Sequence, residues 1–229
     1  MSPRGRPSGW IGLGLAVTIA CLGFAATTAA EARPRSFASP EEAFDYLHQV
    51  ARNPRCVNCH GLYRGDGERI PTVGDAMAPH PMNVTARHNP NVPGSPLGTT
   101  CTSCHGTENA QTPGGPPGAL DKPFPWQMPT RSITRLPPDV SKQNLCKTWR
   151  AAVQHSVDHR EPCGDKVPRT AAEFFVCHIG GDALIGWAFA PGPGRTPAPG
   201  SLADLIRAAE KWAPMLADAT WCDTIKERR

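Results

Sequence analysis

Charge of one sign never accumulates in this chain: its 229 residues hold 24 Lys and Arg against 20 Asp and Glu, with no basic stripe and no run of like charge. So small an excess argues against nucleic acid as a partner and is too weak to hold the chain on a membrane surface. A phosphate-cradling glycine loop, a nucleophile elbow and a metalloprotease motif are also missing, which removes the common enzyme signatures. No series of segments alternates as strands do, and from Ile70 to Pro138 long stretches carry neither helical nor strand periodicity. Proline and glycine are plentiful instead, 26 and 22 residues, so an ordinary globular domain of this composition would have little regular structure.

The long apolar run lies at the N-terminal end. Arg4 and Arg6 precede the almost wholly apolar stretch from Trp10 to Ala26, and small residues follow at Ala30 and Ala32. That is the order of a secretory signal peptide. Residues 1–32 are expected to be a signal, cut after Ala30 or Ala32, or else retained as an anchor, since Trp10 to Ala30 is 21 residues without a charge. Cys21 is expected to be discarded with the signal; as an acylated cysteine it would have Thr18 where a large apolar residue belongs. Export places residues 33–229 in the periplasm. Removing Arg4, Arg6 and Glu31 leaves 22 basic and 19 acidic residues, a formal +3.

Within residues 33–229 one pentapeptide pattern occurs twice, as Cys56-Val57-Asn58-Cys59-His60 and Cys101-Thr102-Ser103-Cys104-His105. Two thiols three residues apart can each add to one vinyl group of a porphyrin while the adjacent imidazole reaches the iron. Behind an export signal, Cys-x-x-Cys-His reads as attachment of c-type haem. Two covalently bound haem c groups are therefore expected, held by Cys56, Cys59, Cys101 and Cys104, with His60 and His105 as proximal metal ligands. The expected fold is mainly α with extensive irregular loops, a dihaem cytochrome c-like domain over 33–229 in which the haem groups form much of the core. A rigid apolar macrocycle gives loops a surface to pack on, which relaxes the usual demand for apolar side chains. The four propionates of two haems would roughly cancel the +3. The surroundings of the two motifs differ, and no duplication is inferred.

Four helices are predicted. Ser39-Pro40-Glu41-Glu42 is a cap, a proline at the first position and a capping box, followed by the apolar face Ala43, Phe44, Leu47, Val50 and Ala51 and an end near Asn53-Pro54. A second helix is read from about Val140 to Gln154, with Leu145, Trp149, Ala152 and Val153 at helical spacing. A third starts at Thr170 and runs through Phe174 and Phe175 to His178, before Gly180-Gly181 stops it. Ser201 caps a fourth, with Asp204 closing the box and a stripe of Leu202, Leu205, Ile206, Ala209, Trp212 and Ala213. Residues 139–229 thus hold most of the helix signal and no haem motif, and read as a covering region.

The second axial ligand of each iron is less constrained. His80 is the first choice: it follows His60 by 20 residues in Ala76-Met77-Ala78-Pro79-His80-Pro81-Met82, stiffened by two prolines. Met77 or Met82 is the thioether alternative and would raise the potential; Met128 and Met215 are more distant candidates. His178, ending an aromatic-rich helix, is the other expected metal ligand, against a plain role as a helix-end cap. His48 reads as a satisfied boundary residue, and His88, His155 and His159 as solvated. Four further cysteines, Cys146, Cys163, Cys177 and Cys222, predict two disulfides in an oxidising compartment, with three pairings open. Cys146 with Cys222 and Cys163 with Cys177 is preferred, because the first ties the second helix to the C-terminal tail and the second closes a short connection. Zinc, the competing use of Cys and His, lacks a second compact ligand pair.

With these residues in place the chain resembles the small dihaem c-type cytochromes often described as isoquinoline 1-oxidoreductase subunits, which serve molybdenum-containing hydroxylases. The resemblance runs from Cys56 to Cys222. It rests on the two haem motifs, the stretch from Pro71 to Pro81, Leu145-Cys146, His178, and Leu184-Ile185-Gly186-Trp187 leading to Pro191-Gly192-Pro193-Gly194-Arg195-Thr196-Pro197. It implies that His80 and His178 matter structurally and that Cys146 and Cys222 go together. After Trp126 the chain departs: Gln127 and Ile133 stand where the family tends to have His and Met, so ligand roles at those positions are absent here. The function expected is electron transfer, with no substrate transformed by the chain itself. Electrons would come from an exported dehydrogenase or molybdenum hydroxylase and leave to an acceptor cytochrome or oxidase toward the respiratory chain. The alternative is a dihaem peroxidase-like enzyme or a haem-based ligand sensor with one open iron. Membrane contact is expected only if the N-terminal segment is retained.

Overall fold

The computed structural model describes residues 35–63, 69–80, 105–106, 108–110, 118 and 140–227. Residues 34–229 cluster as one compact unit. The N-terminal apolar segment, Cys21, Met82, His88, Cys101, Cys104, Trp126 and Met128 lie outside the described residues. No helix among the described residues is long and apolar enough to cross a membrane.

The described part is mainly helical, as expected. In chain order it contains α1 (Pro40–Ala51), α2 (Pro54–His60), the two-residue strands β1 (Leu62–Tyr63), β2 (Arg69–Ile70), β3 (Thr72–Val73) and β4 (Ala78–Pro79), then α3 (Lys142–Asp158), α4 (Ala171–Gly181), α5 (Ala183–Phe189), α6 (Leu202–Trp212) and α7 (Trp221–Thr224). A 3-10 turn, Ala213–Ala217, follows α6. The strands pair as two antiparallel hairpins, β1 with β2 and β3 with β4.

Caps set the helix starts. Ser39 Oγ accepts from the Glu42 N–H at 3.2 Å, and the Glu42 carboxylate reaches back to the Ala38 N–H. Thr170 caps α4, and Ser201 with Asp204 makes a reciprocal capping box on α6; each such cap contributes about 1 kcal/mol. Two boundaries differ from the sequence reading. The second helix starts two residues later, behind the cap Ser141, and runs four residues further, to Asp158. Gly180 and Gly181 do not stop α4: Asp182 ends it, and its carboxylate accepts from the Leu184 N–H to begin α5. A cap that starts the next helix fixes the break more firmly than two glycines do.

The core lies among α1, α3, α4, α6 and α7. Trp212 is fully buried and packs against Phe44 (4.8 Å between ring centres), Phe175 (5.0 Å), Trp149 (5.8 Å) and Trp221 (6.1 Å). Phe44 also meets Trp149 and Trp221 edge-on, the geometry the ring quadrupoles favour. Leu47, Val50, Leu145, Leu205, Ala208 and Leu216 fill the spaces between. Two disulfides close this region. Cys146 pairs with Cys222 and Cys163 with Cys177, the preferred combination of the three.

His48 is a buried titratable group of α1. Its Nε2–H donates to the Val140 carbonyl at 2.8 Å, and burial lowers its pKa. The neutral imidazole is therefore favoured in the folded state. Above the unfolded value near 6.5 this interaction is fully present; as pH falls below it, the unfolded chain binds the proton first and stability drops. Urea midpoints are expected to fall between pH 7.5 and 5 in the wild type. His48→Gln, which keeps an N–H for Val140, should show a shallower fall over that range; an equal slope in the two proteins would remove His48 as the cause.

Candidate functional site

The first Cys-x-x-Cys-His stretch is a helix of its own. Asn53 Oδ1 accepts from the Arg55 N–H at 2.9 Å, Pro54 occupies the first turn, and the Gly61 N–H returns to the Val57 carbonyl at 2.7 Å. At 100° per residue, Cys56, Cys59 and His60 share an arc of about 100° on one side of α2. That side offers two thiols and an imidazole together, which is what attachment to one planar macrocycle with an axial nitrogen requires. Cys56 and Cys59 take no part in either disulfide. Burial, with Cys59 beside it, pushes the Cys56 thiol up to about 12. The donor set fits haem c.

The two unspecified residues of the motif face elsewhere. Val57 is wholly buried in the core. Asn58 fastens the β3–β4 hairpin: its Nδ2 donates to the Gly74 carbonyl at 3.0 Å, and its Oδ1 accepts from the Thr72 hydroxyl at 2.7 Å. Arg55, also buried, adds a second clamp, pairing with Asp75 at the hairpin tip and donating from Nε to the Thr196 carbonyl at 2.9 Å. Thr196 Oγ1 in turn donates to Asp75. Hairpin, motif helix and the segment at Thr196 are thereby one hydrogen-bonded assembly.

His80 leaves the end of this hairpin. The register pairs Thr72 with Pro79, and the His80 N–H donates to the Pro71 carbonyl at 3.0 Å, extending the ladder by one bond. Met77, turning with a φ of 50° at the tip, packs against the core. The ring of His80 lies 6.2 Å from that of His105, centre to centre, at an interplanar angle of 44°. A predicted ligand near His80 is thus the histidine of the second motif, 25 residues on.

The segment after His105 is held by a residue the sequence reading did not single out. Asn109 Oδ1 accepts from the Trp187 indole N–H at 3.1 Å and from the Gly118 N–H at 3.0 Å, and its Nδ2 donates to the Pro191 carbonyl at 3.3 Å. Gly192 sits against the same amide: a Cβ there would lie 2.7 Å from Asn109 Nδ2, and its φ of 82° already favours glycine. Residues 191–196 therefore reach both motif neighbourhoods, through Asn109 beyond His105 and through Arg55 just before Cys56. Long-range contacts of this kind leave no periodic trace in sequence.

His178 occupies the last turn of α4, as the sequence placed it. Its Nδ1 lies 3.7 Å from Asp182 Oδ2, and the side chain is 41% exposed. Partial desolvation by the surrounding chain lowers its pKa, and the nearby Asp182 carboxylate acts in the opposite direction. His155 and His159 stack on one another at 3.8 Å at the end of α3. Among the described residues no group of three or more His, Cys, Asp or Glu gathers around one point as a metal-ion cage would need; an axial haem iron asks the protein for two ligands at most. No family model, curated protein or solved structure matches this chain.

Proposed function

We propose that this chain is a periplasmic dihaem c-type cytochrome, carrying electrons from an exported dehydrogenase or molybdenum hydroxylase toward the respiratory chain. The observation that carries the proposal is α2, where Cys56, Cys59 and His60 share one face of a single short helix while the four cysteines outside the haem motifs and the signal are spent in disulfides. The same pentapeptide at Cys101-x-x-Cys104-His105 supplies the second site. Kinship with the dihaem subunits of molybdenum hydroxylases belongs to this proposal, as do the periplasmic location, the soluble redox partners and the contribution of haem to the core around the two motifs.

Haem supplies reversible one-electron chemistry when bound; the chain supplies its ligands and their surroundings. Asn58 and Arg55 hold the motif helix against the β3–β4 hairpin, which limits movement of the attachment face. Asn109 and Trp187 anchor the chain beyond His105. Restricting ligand motion in this way keeps the site's geometry alike in both oxidation states, so little reorganisation accompanies transfer.

Replacement of His60 or His105 by alanine tests the carrier role. Reduction of this protein by its donor is expected to slow severely, while the donor's turnover with an artificial acceptor stays at the wild-type rate. Turnover that collapses with both acceptors would contradict a carrier acting downstream of the donor's active site.

A further inference from the structure

The pairing of His80 with His105 allows an assignment that sequence order does not suggest. Metal–imidazole bonds run about 2.0–2.1 Å, and a ring nitrogen lies about 1.1 Å from its ring centre, so two imidazoles on opposite sides of one ion have centres about 6.3 Å apart. The rings of His80 and His105 are 6.2 Å apart. Their 44° angle is compatible with that arrangement, because each ring can rotate about the shared axis through the metal.

We propose that His80 and His105 are the two axial ligands of one iron, that of the haem attached at Cys101 and Cys104, and that His80 does not serve the haem at Cys56. The inference rests on the dihaem reading above. Two features of the hairpin explain how His80 is presented for this role. First, His80 is held by its own backbone: its N–H is bonded to Pro71, Pro79 precedes it, and the strand it extends is paired in register. A side chain presented from so restrained a backbone loses little entropy on ligation. Second, the hairpin is fixed to α2 through Asn58 on Thr72 and Gly74, so the element presenting His80 is anchored on the first motif while its ring meets the second. The β3–β4 hairpin would then be a protein bridge between the two haem sites. Moving α2 would also move a ligand of the other iron.

The test uses full-length protein carrying one haem at a time. Cys56→Ser with Cys59→Ser retains the second haem, and Cys101→Ser with Cys104→Ser retains the first. His80→Met is then placed in each background, and haem content, low-temperature magnetic resonance and midpoint potential are read. With a thioether in place of imidazole the potential should rise and the bis-imidazole signal should disappear only where the second haem remains. The Cys101→Ser, Cys104→Ser background should be indifferent to His80→Met. A response confined to the first haem, or to neither, would overturn the assignment. If a single-haem background does not accumulate, two-haem proteins carrying His80→Met and His105→Met decide: both substitutions move the same potentiometric component if the two histidines share an iron, and a shift in different components, or none with His80→Met, overturns the assignment. Absence of covalent haem in the parent would defeat the dihaem reading itself, and haem content separates that outcome from failure of the ligand assignment alone.

Discussion

Serine at both Cys56 and Cys59 is expected to leave the purified protein with one haem per chain instead of two. The reason is local. Both sulfurs proposed to attach the first haem lie on the same face of α2, three residues apart, and no other cysteine among the described residues is available, since Cys146, Cys163, Cys177 and Cys222 are joined in pairs. The elements that hold α2 use neither sulfur: Val57 is buried, Asn58 bonds the hairpin and Arg55 bonds Asp75 and Thr196. The helix should therefore persist without its haem, and the second haem should keep its spectrum. Haem per chain is read by pyridine haemochrome against protein concentration. A value of two would show that the attachment is elsewhere; a value of zero would show that the second motif does not act on its own.

Trp212→Ala is expected to be the most damaging single change to stability. The indole is fully buried and touches four other aromatic rings, from α1, α3, α4 and α7. Removing it opens a cavity that these rings cannot fill without losing their mutual packing, at a cost of about 3–5 kcal/mol. Net stabilities of domains run about 5–15 kcal/mol, so much of the margin disappears. Trp212→Phe should cost clearly less. It keeps a ring at the centre, and the N–H it deletes is buried without a hydrogen-bond partner, so no bond is lost with it. Urea unfolding followed by far-ultraviolet dichroism checks both. Equal losses for Phe and Ala would mean that indole volume, rather than an occupied centre, governs the site.

Helix starts were legible because a cap is a local signal. Ser39, Thr170 and Ser201 each announce a helix in sequence and each cap one in the structure. Ends were less legible, since the same residues can mean two things. Asn53-Pro54 reads as the end of α1, yet Asn53 caps α2 and Pro54 is its first residue. Asp182, placed after two glycines, ends one helix and begins the next. The hairpins escaped notice because strands of two residues carry no period. In the candidate site, the motif residues were plain from spacing, whereas Asn58, Asn109, Asp75 and Thr196 were not. Their partners lie from 9 to 141 residues away, and only the folded chain brings them together. His80 was recognised as a candidate ligand from its proline-stiffened setting, but proximity in sequence pointed to His60, and the hairpin turns its ring toward His105.

The mass of the purified wild-type chain under denaturing conditions tests the central claim most directly, because thioether-bound haem survives unfolding and an ordinary ligand does not. The account predicts a mass exceeding that of the polypeptide by two haems, both retained after reduction of the disulfides. A chain with the mass of the polypeptide alone, when produced in a host that attaches haem c, would contradict it.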